Sequence, residues 1–437
     1  VTIFKAYDVR GVYGTELDEA TVTRIGRAYG TALAGGSAAV GRDPRTSGPA
    51  LEGAFLDGIL STGSRVEEYG VLPIPVISFV AWQDRLAGAA YISASHNPPE
   101  YNGVRFRTGD GYGLLYRESP IMEHCRNGSF ASGDGTLVRH APDEAIGRYA
   151  EFVADRVSIP QKLRVVLDMG NGAAGGMGRV FEAAGCEPIV RFGEMDGAFP
   201  GRGPRPTEAS LVSSAEAVVG EGADFGVGFD PDADRGIAID DRGRVLPPEK
   251  IAIILAARRY RPGDLVIAGF DCSMILEERL LPLGFRVERE RVGDVFIANR
   301  VKREGAVLGV ERSGHFFLPE FQYSDDPFAM TLALAEVVSE GERLSDLADA
   351  IPDLPYIEHA IHLTTGVSIV MERLASRLAH LEPDTTDGLK VTTDDYAVLI
   401  RPSNTEPLIR VYAETRSGDV QTLLREYEAL VLGAMRA

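Results

Sequence analysis

Tyr91-Ile-Ser-Ala-Ser95-His96-Asn97-Pro98-Pro99-Glu100-Tyr101-Asn102-Gly103 joins a short apolar run to a series of polar turn formers. Ala89 to Ile92 reads as a buried strand, and the two prolines forbid continuation of either strand or helix. The Ser95 hydroxyl is therefore expected on a rigid loop at a strand's end. Ser, Asn and Pro are ordinary turn residues, so a capping role for Ser95 stands beside a nucleophilic one. His96 adds little on its own, because neighbouring side chains on an extended chain point apart.

Three other stretches keep this one company: Asp230-Pro-Asp232-Ala-Asp234-Arg235, Glu311-Arg312-Ser313-Gly314-His315, and Arg401-Pro402-Ser403-Asn404-Thr405-Glu406-Pro407. In this order the four resemble the active-site loops of the α-D-phosphohexomutase superfamily. Phe4-Lys5-Ala6-Tyr7-Asp8-Val9-Arg10-Gly11 is similar to that family's opening segment, so the resemblance spans nearly the whole chain.

With 437 residues the chain is too long for one core and is expected to form about three or four domains. The 44% hydrophobic and 25% charged content is that of an ordinary globular protein. A net charge of −19 argues against a general nucleic-acid surface, which needs Lys and Arg to neutralise phosphates. A phosphate ester would then need positive charge concentrated in a cleft, and Arg10, Arg42, Arg45, Arg105, Arg235, Arg312, Arg401 and Arg410 lie in or beside the stretches above. Cys125, Cys186 and Cys272 lack metal-ligand spacing and are odd in number, which speaks against a disulfide framework or a zinc site. With no signal peptide and no apolar run long enough for a bilayer, the expectation is a cytoplasmic enzyme without membrane partners.

Helical and strand patterns alternate from Thr21 to Val310, giving α/β organisation. Helices are expected at Thr21 to Ala34, up to Leu60, Ala174 to Ala184 and Leu211 to Val219. Strands are expected at Ser37 to Arg42, Val66 to Tyr69, Arg164 to Asp168, Pro188 to Phe192, Asp224 to Phe229, Leu265 to Ala268 and Ala306 to Val310. A helix ending at Ile159-Pro160 marks a boundary. From Tyr356 onward the pattern changes to that of a smaller α+β domain. The division is 1–160, 161–250, 251–355 and 356–437: three similar mixed, mostly parallel sheet domains around a central cleft, plus the C-terminal unit.

Asp230, Asp232 and Asp234 follow the apolar strand Phe225 to Phe229, and their alternate spacing can bring three carboxylates to one point. Hard oxygen ligands suit Mg²⁺ better than zinc. An EF-hand is the rival, but Pro231, Arg235 and Asp241 occupy positions its loop does not allow them. Glu311 and Ser313 can share a side of an extended loop and hold adjacent sugar hydroxyls, although the pentapeptide is also an ordinary polar turn. Arg401, Ser403, Asn404 and Thr405, with Arg410 on the next strand, make a nest for a dianionic phosphate. Gly170-Asn-Gly172-Ala-Ala-Gly175, with Glu194 downstream, matches a dinucleotide fingerprint, a weak signal because tight strand-to-helix turns need glycine anyway.

The resemblance implies that Ser95 carries a phosphoryl group given to a hexose 1-phosphate, and that a hexose 1,6-bisphosphate turns over in the cleft and returns its other phosphate to the serine. It places Ser95, His96, Arg10, Arg105 and Arg235 at the catalytic centre, Ser95 with Asp230, Asp232 and Asp234 on Mg²⁺, and Glu311, Ser313 and His315 on the sugar. It also implies hexose phosphates as partners and a monomer or homodimer. Arg105 departs from the family's lysine and cannot be a general base, leaving His96, another group or the leaving phosphate to move the proton. Asp294 and Arg312 are further departures. The Phe4 to Gly11 stretch favours a phosphomannomutase or phosphoglucomutase; Val292-Gly293-Asp294 is closer to the phosphoglucosamine mutases. A sugar-phosphate sensor without catalysis, and a phosphatase acting through Ser95, are readings from other classes.

Overall fold

The computed structural model describes residues 3–5, 8–363, 366–403 and 408–436. The first sheet contains β1 (Val9–Val12), β2 (Ser37–Arg42), β3 (Arg65–Val71), β4 (Gly88–Ile92), β5 (Tyr101–Thr108) and β6 (Thr136–Arg139) in the order β1-β5-β4-β2-β3-β6. Its β4-β2-β3-β6 half is parallel, whereas β5 runs antiparallel to both β4 and β1.

The second sheet has β7 (Arg164–Asp168), β8 (Glu187–Arg191), β9 (Phe225–Phe229) and β10 (Gly236–Asp240), ordered β10-β9-β7-β8. The third has β11 (Leu265–Gly269), β12 (Arg286–Glu290), β13 (Leu308–Val310) and β14 (Phe316–Phe317), ordered β12-β11-β13-β14. Each is parallel apart from one antiparallel edge strand, β10 or β14. The last sheet is wholly antiparallel: β15 (Tyr356–His362), β16 (Leu389–Thr392), β17 (Tyr396–Pro402) and β18 (Leu408–Thr415), ordered β15-β18-β17-β16. The expected class, three mostly parallel α/β units and a smaller α+β unit, is therefore what the chain forms.

One apolar cluster runs through the first three units, and each unit also has a smaller core of its own. Helix Pro327–Ser339 is apolar on every face, as a helix surrounded by protein must be, and twelve of its residues are buried. Asp326 caps it by accepting from the amides of Phe328 and Ala329, and also accepts from the Tyr149 hydroxyl at 2.7 Å. Phe328 packs against Tyr149, Phe181 and Phe229, so side chains from four segments meet at one ring. The C-terminal sheet has its own core, built with helices Val367–Leu378 and Val420–Arg436.

Several elements differ from the sequence reading. The helix before Pro160 spans Pro142–Ala154 and stops earlier than expected. The Ala174 to Ala184 helix is a 3-10 turn, Ala173–Gly176, followed by a short helix, Gly178–Ala183, because Gly175 and Gly176 weaken the join. Strand β5 begins only two residues after Pro98-Pro99, so the prolines end β4 without ending the sheet. The three cysteines are buried and free. Among the described residues, no helix is long and apolar enough to cross a membrane.

Candidate active site

The loop between β4 and β5 is held from beneath by Arg45. This wholly buried guanidinium pairs with Asp43 and donates to the carbonyls of Ser95, Asn97 (2.7 Å), Pro98 and Tyr101 (2.9 Å). The Ser93 hydroxyl donates to Asp43 at 2.7 Å and accepts the Ser95 amide at 2.7 Å. So fixed, Ser95 takes a left-handed backbone, φ 51°, that costs a residue with a Cβ about 1–2 kcal/mol. That conformation corrects the picture of Ser95 and His96 pointing apart: the chain is not extended there, and His96 Nδ1 lies 3.3 Å from Ser95 Oγ. Burial, and then Arg235, Arg10 and Arg205, hold the His96 pKa well below its usual value, so its imidazole is neutral. Arg10, on β1, donates to Asn97 Oδ1 at 2.6 Å and pairs with Asp8 at 2.5 Å.

Across the cleft, the turn from β9 to β10 carries Asp230, Asp232 and Asp234, all fully buried, with oxygens within 4.8 Å of one another. A β-hairpin flanks these residues, not the paired helices of an EF-hand. Ser95 Oγ donates to Asp230 Oδ2 at 2.9 Å, joining two loops 135 residues apart. Burial and the carboxylates of Asp232 and Asp234 push the Asp230 pKa well above its usual value. Asp232 Oδ1 is buried without a hydrogen-bond partner among the described residues. An oxygen-lined, anion-rich point with an unsatisfied acceptor fits a hard divalent cation such as Mg²⁺.

Arg105, from β5, joins the three α/β units. Its guanidinium contacts Asp232 at 3.0 Å, Asp234, and Asp294 at 2.5 Å, with Asp325 at 4.0 Å. Burial opposes its charge, but Asp234, Asp294 and Asp232 outweigh that and hold its pKa well above the usual value, so Arg105 stays a cation. Arg107 pairs with Asp325 at 3.0 Å behind it.

The loop after β13 is already knitted together. Glu311 accepts from the Gly293 amide at 2.6 Å and contacts His315 Nδ1 at 2.6 Å, with Ser313 Oγ at 3.3 Å. His315 Nε2 lies 3.3 Å from Asp234 and 3.2 Å from Arg235 Nε. Burial disfavours a charge on His315, but Asp234 and Glu311 at its two nitrogens prevail and raise its pKa well above the usual value. The imidazolium therefore donates to both carboxylates, and Arg235 is a like-charged neighbour. Arg312 turns away from Glu311, Ser313 and His315, pairing with Glu249 at 2.7 Å and stacking 3.5 Å from the Tyr356 ring centre.

In the C-terminal unit Arg401 and Arg410 are register partners on β17 and β18. Arg401 pairs with Asp387 at 3.1 Å, Arg410 with Glu358, and the Ser403 amide donates to the Leu408 carbonyl at 2.9 Å. Asn404 and Thr405 lie outside the described residues. Hydrogen bonds and ion pairs thus join Ser95, His96, the three aspartates, Arg105, Arg235, Glu311, Ser313 and His315, and a bond to Asn97 brings Arg10 onto the Ser95 loop. Arg401 and Arg410 bind partners of their own.

Two contributors differ from the sequence expectation: Arg45, expected only among the cations of a cleft, is wholly buried and paired with Asp43, and Arg205 is not anticipated at all. Arg45 makes the loop clamp; its signal is Asp43-Pro-Arg45 at the end of β2, beside β4. Arg205 lies within electrostatic reach of His96, Arg235 and Arg410, and desolvation of its guanidinium, followed by the charges of Arg235 and Arg410, lowers its pKa. It has no local signature beyond a Gly- and Pro-rich loop. The Gly170 to Gly175 run serves packing. A Cβ on Gly172 would come within 2.8 Å of Pro231 Cα, so glycine lets this turn back the aspartate loop.

Models of all four domains of phosphoglucomutase/phosphomannomutase match the chain: α/β/α domain I over residues 1–131, domain II over 147–243, domain III over 247–354 and the C-terminal domain over 361–431. The chain therefore belongs to the α-D-phosphohexomutase superfamily and is an enzyme of the phosphohexomutase class. It is 34% identical over 440 residues to a probable phosphoglucosamine mutase of Methanothermobacter thermautotrophicus, covering 97% of this chain and 96% of that one. It is 32% identical over 446 residues to a phosphoglucomutase/phosphomannomutase of Thermococcus kodakarensis, covering 97% and 96%. A phosphoglucomutase/phosphomannomutase family protein of Burkholderia thailandensis superposes with a TM-score of 0.89 at 27% identity, covering 99% of this chain and 97% of that one.

Proposed function

We propose that this protein is a phosphoglucosamine mutase, moving phosphate between O1 and O6 of glucosamine phosphate through phosphoserine 95 and a 1,6-bisphosphate. The observation that supports the reaction most is the Ser95 hydroxyl 2.9 Å from Asp230 in a buried cluster of three carboxylates. Several relatives at 30–34% identity bear the phosphoglucosamine mutase name, which shifts the substrate away from the mannose and glucose phosphates favoured by the Phe4 to Gly11 stretch. The Thermococcus kodakarensis relative keeps those two sugars as the second reading.

Each unit, 1–160, 161–250, 251–355 and 356–437, is assigned one loop. Glu311, Ser313 and His315 hold sugar hydroxyls, while Arg401, Ser403, Asn404, Thr405 and Arg410 bind the non-reacting phosphate. Mg²⁺ held by Asp230, Asp232, Asp234 and the Ser95 phosphate would neutralise charge on the phosphoryl oxygens. Arg10 and Arg235 add positive charge beside the same group. Neutral His96, 3.3 Å from Ser95 Oγ, takes the proton of the attacking sugar hydroxyl and passes it to Ser95 Oγ as the bond from that oxygen to phosphorus breaks. When Ser95 Oγ attacks the second phosphate, His96 takes the hydroxyl proton back and gives it to the sugar oxygen set free. Arg105 holds the aspartates and Asp294 in place. Coupled assays with glucosamine, glucose and mannose 1-phosphates, each with its 1,6-bisphosphate, test the reading. Highest kcat/KM is expected for glucosamine 1-phosphate; turnover of none removes the mutase reading, and sugar binding without phosphate on Ser95 would mark a sensor.

A further inference from the structure

Strands β11 and β13 are parallel neighbours, and their C-terminal ends carry Asp271 and Glu311 side by side. A Cβ built on Gly269 would meet Asp271 Oδ1 at 2.8 Å and Glu311 Cγ at 3.5 Å, so both side chains reach the same point over that glycine. Ligands of open α/β sheets bind at this edge.

Glu311 is satisfied by Gly293 and His315, whereas Asp271 Oδ1 is buried and has no hydrogen-bond partner among the described residues. None of the nearby cations hydrogen-bonds Asp271 Oδ1: Arg312 pairs with Glu249, Arg401 with Asp387, and Lys390 donates to the Phe270 carbonyl at 2.8 Å, although the charges of Arg401 and Arg312 are felt at Asp271. Glu249 Oε2 and Glu311 add further negative charge. Asp271 Oδ1 is thus a carboxylate oxygen without a hydrogen-bond donor among the described residues, at the edge of the Glu311 loop. It lines a cavity of about 20 Å³ with Arg312, Tyr356, Lys390, Tyr412 and Glu414. That volume is too small for a sugar ring and sufficient for one group the size of a water molecule.

Building on the mutase reading above, we propose that the Asp271 carboxylate receives the cationic 2-amino group of an amino-hexose phosphate and selects it over the 2-hydroxy sugars. The ring stays in the cleft against Glu311 and Ser313, and the substituent next to their hydroxyl partners projects towards Asp271. An ammonium supplies both the charge and the hydrogen bond that Asp271 Oδ1 lacks, whereas a hydroxyl supplies only the bond. Burial, followed by the charge of Glu311, raises the Asp271 pKa to about 6 against the opposing charges of Arg401 and Arg312.

The test measures binding without turnover. Ser95→Ala protein is titrated calorimetrically with glucosamine 6-phosphate and glucose 6-phosphate, with and without Asp271→Asn. The expected preference for the amino sugar is about tenfold or more, falling to about twofold or less with Asp271→Asn and retained with Asp271→Glu. Equal affinities before the Asp271 change, or equal weakening of both sugars after it, overturns the assignment. Parallel assays on Ser95-containing protein separate the two claims. Amino-sugar selectivity without turnover sinks the mutase reading alone, and turnover of glucosamine 1-phosphate with selectivity indifferent to Asp271→Asn sinks this one alone.

Discussion

The Arg105 guanidinium of the first unit lies 3.0 Å from the Asp232 carboxylate of the second, inside a cluster that also takes Asp294 from the third. An arginine here is a fixed charge tying three units together. Removing it by Arg105→Ala strands buried carboxylates, and a loss of about 3–5 kcal/mol in chemical denaturation is expected. Arg105→Lys should keep much of that stability. An Arg105→Ala protein as stable as its parent would contradict the network.

Mg²⁺ should stabilise the fold because it binds the folded aspartate cluster and not the unfolded chain. At about one hundred times its Kd the gain is about 2.7 kcal/mol. Asp232→Asn removes the unpartnered acceptor, and the increment should fall to near zero in the same melting experiment.

Arg45 acts on catalysis only through the backbone it holds. Lysine cannot donate to four carbonyls from one planar fork, so Arg45→Lys should lower kcat by about a hundredfold, with KM changing far less. A change confined to KM would place Arg45 on the substrate instead.

The Asp271 pKa, raised to about 6 by burial and then by Glu311, has a stability consequence of definite sign. Between an unfolded value near 3.9 and about 6 the folded state holds more protons, so this group's contribution falls as pH rises through that window. Asp271→Asn should therefore be more stable than the parent at pH 7 and show a flatter profile from about pH 4 to 6. Lower stability at pH 7 would show that the carboxylate has a partner in the fold.

Much of this site can be read from the sequence because its loops are short, polar and attached to apolar strands. Asp230, Asp232 and Asp234 follow Phe225–Phe229, and Glu311 follows Leu308–Val310, so strand ends predict their position. Less legible is whatever depends on distant partners. Strand β5 escapes the sequence reading because Arg105 and Arg107 break its apolar pattern, and those charges are buried only because Asp232, Asp294 and Asp325 come from elsewhere. Arg45 binds carbonyls more than fifty residues away, which no local pattern records. The turn of His96 towards Ser95 depends on a positive φ at a residue that is not glycine, a conformation imposed by surrounding contacts.

The central claim, that Ser95 carries the phosphate in transit, is tested most directly by intact mass after incubation with a hexose 1,6-bisphosphate and Mg²⁺. The account predicts a gain of about 80 Da in the parent protein, none in Ser95→Ala, and its loss on adding the matching hexose 1-phosphate. A parent protein that stays unmodified while turning over substrate, or a Ser95→Ala protein that gains the same mass, would contradict it.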